Sequence, residues 1–161
     1  MDNADQLAIL ARLAFAAFLG AFIGLERELR GYPAGVRTVA LVTAGSALFT
    51  EVSRLMGSED RIAAGIVSGI GFLGAGLIFR EGYTVRGITT AATIWTAAAI
   101  GMAVARELYL VASLGSLLVF ILLEARPVVR RLEAFILSLG RELVLREEEH
   151  EHEHDHEQHR G

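Results

Sequence analysis

Two apolar runs dominate the middle of the chain. Residues 62–79 read IAAGIVSGIGFLGAGLIF and residues 88–105 read ITTAATIWTAAAIGMAVA, and neither contains a charge. Eighteen helical residues rise about 27 Å, close to the ~30 Å of hydrocarbon in a bilayer. The polar segment REGYTVRG between them reads as a short hinge. Apolar stretches at about 7–25, 36–56 and 107–124 have comparable length. The pattern predicts an all-α integral membrane protein, a bundle of about five transmembrane helices at these positions. Arg12 is expected to snorkel from the first helix to the interface. A tight turn near Arg106-Glu107 is expected to separate the last two.

Beyond residue 125 the pattern changes, so residues 1–125 are read as the transmembrane domain. In residues 126–146, Val128, Val129, Leu132, Ile136, Leu139 and Leu143 recur at helical spacing among Arg130, Arg131, Glu133, Arg141 and Glu142. Such a segment fits a juxtamembrane amphipathic helix lying on a leaflet, or a helix ending near Gly140 and followed by an extended stretch. Residues 147–161, EEEHEHEHDHEQHRG, read as a disordered tail. The tail is either a solvated acidic string or a transition-metal ligand string built on His150, His152, His154, His156 and His159.

Charge sharpens this picture. The formal net charge of −4 over 161 residues comes from the tail, where seven acids face one Arg; elsewhere fourteen Arg face twelve acids. Every basic residue is Arg. Eight of them (27, 30, 37, 80, 86, 126, 130 and 131) fall on one side of a five-span topology, and four (12, 54, 61 and 106) on the other. The richer side is expected to be cytoplasmic, placing the N-terminus outside and the C-terminus inside. No clustered basic face suggests nucleic acid. MDNADQ has no basic n-region, so a cleaved signal peptide is not expected. Absence of cysteine excludes disulfides and thiolate metal sites.

Helices in lipid associate through small residues that let backbones approach. Gly20 and Gly24 have GxxxG spacing in the first helix. Gly65, Gly69, Gly71, Gly74 and Gly76 crowd the third, which is therefore expected to be the central element. The run from Gly69 to Gly74 also matches the dinucleotide fingerprint GxGxxG, but without a preceding strand and in mid-membrane it reads as packing. The most chemically loaded stretch is GLERELRGYPAGVRT, which gathers Glu26, Arg27, Glu28, Arg30 and Arg37 around the turn at Pro33 and Gly35. It reads either as an ordinary positive-inside loop or as a polar plug at the mouth of the bundle. In the second reading Glu26 pairs with Arg37 or Arg86, and the hinge with Arg80 and Arg86 joins the same surface. Thr89, Thr93 and Thr96 share a helix face, either lining a polar path or bonding back to their own helix. Glu51, Glu59 and Asp60 supply oxygen donors for a hard cation, though no spacing fixes a site. No nucleophile–base pair is visible, and no enzymatic activity is expected.

Taken together, GAFIGLERELRGYPAGVRTVALVTAGSALF and DRIAAGIVSGIGFLGAGLIFREGYTVRGITTAATIWTAAAIGMA closely resemble the membrane domain of the MgtC/SapB family, over about residues 14–115. The resemblance implies a bacterial inner-membrane protein linked to Mg²⁺ homeostasis, growth in low Mg²⁺ and, in some pathogens, survival in macrophages. It also implies a non-enzymatic regulator of another membrane protein, with the F-type ATP synthase or a second copy as partner and no established cofactor. The alternative is a subunit of an oligomeric ion or divalent-metal transporter. Gly65 departs from the family, which often has Gln there. Many relatives are expected to continue into a soluble cytoplasmic domain where this sequence has its His-acid string.

Overall fold

The computed structural model describes residues 2–125; the expected juxtamembrane segment and the His-rich tail lie outside the described residues. Five helices follow in order: α1 Asn3–Leu29, α2 Val36–Leu55, α3 Glu59–Leu77, α4 Ile88–Ala105 and α5 Tyr109–Glu124. The described residues are all-α apart from one small hairpin, β1 Phe79–Glu81 with β2 Thr84–Arg86. Two of the helices, α1 and α4, are long and apolar enough to cross a membrane; Arg61–Leu77 and Tyr109–Glu124 are shorter apolar helices.

Local chemistry sets the boundaries. Residue 3 opens α1 because Asp2 and Asp5 form a reciprocal capping box, with Asp5 N–H donating to Asp2 at 2.8 Å and Asp2 N–H to Asp5 at 3.0 Å. The helix ends on a left-handed Gly31 (φ 72°), with Tyr32 N–H bonded back to the Arg27 carbonyl at 2.9 Å. The break between α4 and α5 has the same wrapped geometry, with Leu108 N–H bonded to the Ala103 carbonyl at 3.0 Å. There the left-handed position (φ 63°) is held by Glu107, a non-glycine residue for which this conformation costs about 1 kcal/mol. The expected polar hinge is instead a hairpin that pairs Phe79 with Arg86 and Glu81 with Thr84. Gly82 (φ 61°) supplies the positive φ that so short a turn requires.

The core lies where α1, α2 and α4 meet. Ala16, Leu19 and Ile23 of α1 pack with Val39 and Ala47 of α2 and with Ile94, Ala97, Ile100 and Val104 of α4. Close approach is possible because Cβ atoms are missing where backbones cross. A Cβ on Gly24 would stand 2.6 Å from Val36 Cα, and one on Gly20 would stand 2.7 Å from the Val39 carbonyl oxygen. A Cβ on Gly101 would collide with the Thr43 carbonyl.

The expectation that helix three is central is overturned. The central elements are α2 and α4, while α3 leans on α4 and touches α2 lightly. Only Gly74 of the α3 glycines meets a neighbour, with its Cβ position 3.5 Å from Ala91 Cβ. Gly65, Gly69, Gly71 and Gly76 face open space within this chain. Glycine permits approach but supplies no atoms to drive it, so its density does not locate the core. Large apolar side chains point outward from every helix; Phe72 on α3 is 81% exposed. That much apolar surface suits hydrocarbon rather than water.

Candidate functional site

Two polar clusters sit near opposite ends of the α1–α2 pair. The first grows from the C-terminal turn of α1. Glu26 and Arg27 are both buried there. Arg27 donates to Thr90 Oγ1 near the start of α4 at 2.6 Å, and its guanidinium stacks over the Tyr32 ring at 3.8 Å. The Glu26 side chain is 1% exposed, and Arg30 Nε lies 2.8 Å from its Oε1. Neither Glu26 oxygen receives an aligned hydrogen bond, so Arg30 holds it as a charge contact.

Glu28, on the outer side of the same turn, accepts from Val36 N–H at 2.8 Å and so caps α2 across the loop. A Cβ at Gly35 would sit 2.6 Å from Glu28 Oε2, so the Glu28 side chain would have to shift from its capping position. A carboxylate at a helix N-terminus satisfies an orphan donor and meets the positive end of the helix dipole. Glu28→Ala is expected to lower stability by about 1 kcal/mol, readable as a fall in thermal midpoint by circular dichroism in detergent. An unchanged midpoint would show that water caps α2 equally well.

The sequence-predicted partners differ from those found. Glu26 pairs with Arg30, one turn later on its own helix, and not with Arg37 or Arg86. An (i, i+4) neighbour is already in reach, whereas a cross-loop pair must order a loop first. Arg37 is exposed. Arg80 and Arg86 serve the hairpin instead: Arg80 Nε donates to the Gly82 carbonyl at 2.9 Å, and Arg86 lies 3.3 Å from Glu81. Thr93 and Thr96 hydroxyls donate to carbonyls four residues back on α4, each at 2.8 Å, and take the local alternative rather than lining a path. Thr90, outside the expected threonine face, is the one that reaches across to α1.

The second cluster was not assembled by sequence reasoning. Arg12 meets two carboxylates at this end of the bundle. Its guanidinium lies 2.8 Å from Glu51 Oε1 on α2 and 2.7 Å from Glu107 Oε1 in the α4–α5 turn, and its Nε donates to Tyr109 Oη at 3.3 Å. Arg54 closes the set at 2.7 Å from Glu51 Oε2 and 3.4 Å from Glu107. Glu51 is 1% exposed, and an arginine occupies each of its oxygens. It is thus engaged as an ion-pair anchor and not held ready as a cation ligand. The available signal was Arg12 itself, a charge within an apolar helix that implies a partner on a facing one. Among the described residues, no group of three or more His, Cys, Asp or Glu is placed to hold a metal.

Both clusters do the same physical work. Each ties α1 to the element packed against it with a charge-assisted bond at a buried residue, Arg27 in one and Glu51 in the other, where unpaired charges are costly. Each is a fastening between helices.

Comparison with known proteins places most of this architecture in one group. Residues 13–132 match the family described as the MgtC family. A protein of Synechocystis sp. described as uncharacterized is 47% identical over 130 residues, which are 79% of this chain and 54% of that protein. Protein MgtC of Brucella abortus is 54% identical over 95 residues, 57% of this chain and 40% of its own length. Protein MgtC of Salmonella typhimurium is 54% identical over 95 residues, 58% and 41% of the two chains. The chain thus spans about half the length, or less, of the curated relatives it matches. No solved structure matches it.

Proposed function

Because this chain belongs to the MgtC family, we propose that it is a multi-pass protein of the bacterial inner membrane that regulates another membrane protein during adaptation to low Mg²⁺, without catalysing a reaction. The five helices are read as five spans, with the N-terminus outside and the C-terminus cytoplasmic. The apolar helices and the outward-facing apolar side chains support the membrane placement.

The observation that carries the regulatory reading is the free side of α3. Ala64, Ser68, Gly71 and Ala75 share one helix face by their spacing, and all four are exposed. A Cβ at Gly71 would meet nothing within 4 Å. In lipid, a face of small residues is where a second helix approaches closely. The rest of the bundle is fastened by its two ion-pair clusters, which leaves α3 as the element able to offer itself. The partner is another membrane protein, with the ATP synthase or a second copy of this chain as the forms the resemblance suggests.

Growth in low Mg²⁺ of a host lacking its own family member tests the reading. The wild-type chain is expected to restore growth, and Gly71→Leu to restore at most a small part of it, at equal amounts of folded protein in the membrane. Full rescue by Gly71→Leu would remove the α3 face from the mechanism. Mg²⁺ flux into liposomes holding only the purified chain would replace regulation with transport.

A further inference from the structure

A groove runs between α2 and α3 on the side of α3 away from Ser68 and Gly71. It is an open groove of about 750 Å³, from Thr38 to Phe49 along α2 and from Arg61 to Leu73 along α3. Gly65 and Gly69 leave one wall without side chains, and a Cβ at either would meet nothing within 4 Å. The lining is apolar except at its Arg61 end and at Thr38 and Ser46.

The dimensions restrict what can fill it. Twelve helical residues separate Arg61 from Leu73, a run of about 18 Å. That is close to the ~15 Å of hydrocarbon in one leaflet, half of the bilayer core. The groove has the length of an acyl chain and an apolar lining to match one.

Charge identifies which end is the mouth. Among the described residues Arg12, Arg30, Arg54 and Arg86 are in ion pairs, and Arg27 and Arg80 donate hydrogen bonds. Arg61 is exposed and forms no ion pair or hydrogen bond among the described residues, and Arg37, the other such arginine, does not line the groove. A guanidinium at the rim of an acyl-length groove is matched by a phosphate, which it binds through paired N–H donors. The geometry points to a phospholipid site: an acyl chain lies along Gly65 and Gly69, and an anionic headgroup sits on Arg61. This rests on the membrane placement proposed above but not on the regulatory partner, since it uses the opposite side of α3.

Native mass spectrometry of the full chain tests it, after incubation in detergent with phosphatidylglycerol or with phosphatidylcholine of identical acyl chains. The wild type is expected to retain one phosphatidylglycerol in preference to phosphatidylcholine. Gly69→Leu, which fills the groove, should lower retention of both lipids about tenfold. Arg61→Gln should leave retention of phosphatidylcholine unchanged and remove the preference. A Cβ at Gly69 would meet nothing within 4 Å, and Arg61 is exposed with no ion pair or hydrogen bond among the described residues, so both variants should keep the wild-type melting midpoint, which separates lost binding from lost folding. Equal retention by wild type and Gly69→Leu would overturn the acyl site, and equal retention of the two lipids by the wild type would overturn the role of Arg61. The membrane placement is read separately, from whether the chain stays with the bilayer after an alkaline wash.

Discussion

Glu51→Leu is expected to lower the unfolding free energy by about 3 kcal/mol in detergent micelles, among the largest effects of any single side-chain truncation here. Glu51 is buried and holds an arginine on each carboxylate oxygen. Its removal leaves Arg12, itself largely buried, with the Tyr109 hydroxyl and a single, more exposed carboxylate, Glu107. An uncompensated buried charge is costlier than an absent ion pair, so the double variant Arg12→Met/Glu51→Leu should recover most of the loss. Arg54 contributes less, because its side chain is about a third exposed and solvent screens the contact. Denaturant unfolding followed by circular dichroism provides the measurement. If Glu51→Leu unfolds at the wild-type midpoint, the cluster is a surface ornament and not a fastening.

Gly101→Val should be as damaging by a different route. The α4 backbone at Gly101 lies against the Thr43 carbonyl of α2, so a side chain there meets main chain rather than a flexible neighbour. Relief requires α2 and α4 to separate, which strips contacts from Ile94, Ala97 and Val104. Overpacking usually costs 1–3 kcal/mol, and a backbone obstacle puts this case at about 3 kcal/mol or beyond. Alanine substitution gives the sharper comparison. Gly101→Ala should destabilise, whereas Gly71→Ala, in open space, should leave stability unchanged or raise it by up to about 1 kcal/mol through helix propensity. Thermal midpoints of the two alanine variants shifting in the same direction would contradict the packing order described here.

The helices were legible in the sequence because long uncharged runs admit few other structures. Their boundaries were legible wherever a capping residue or glycine marks an end. The hairpin was missed because three-residue strands carry almost no pattern, and Gly82 alone does not distinguish a hinge from a two-residue turn. The rank order of packing was not legible. Five glycines drew attention to α3, yet the approach that holds the bundle together occurs at Gly20, Gly24 and Gly101, where the facing backbone decides the matter. The polar stretch around Glu26 and Arg27 was visible as a cluster, but its partners were not. Thr90 lies 63 positions from Arg27, and nothing in the spacing selects it over Thr89 or Thr93. Arg12 and Glu51 were each visible as an oddity in an apolar helix, and pairing them required knowing that α1 and α2 run side by side.

With one polar cluster near each end, α1 and its neighbours cannot slide like a piston. Axial slippage by a single turn, about 5.4 Å, would break the bonds at both ends at once. Any rearrangement within the bundle is therefore expected as tilt or lateral swing of α3, which among the described residues neither cluster bolts down.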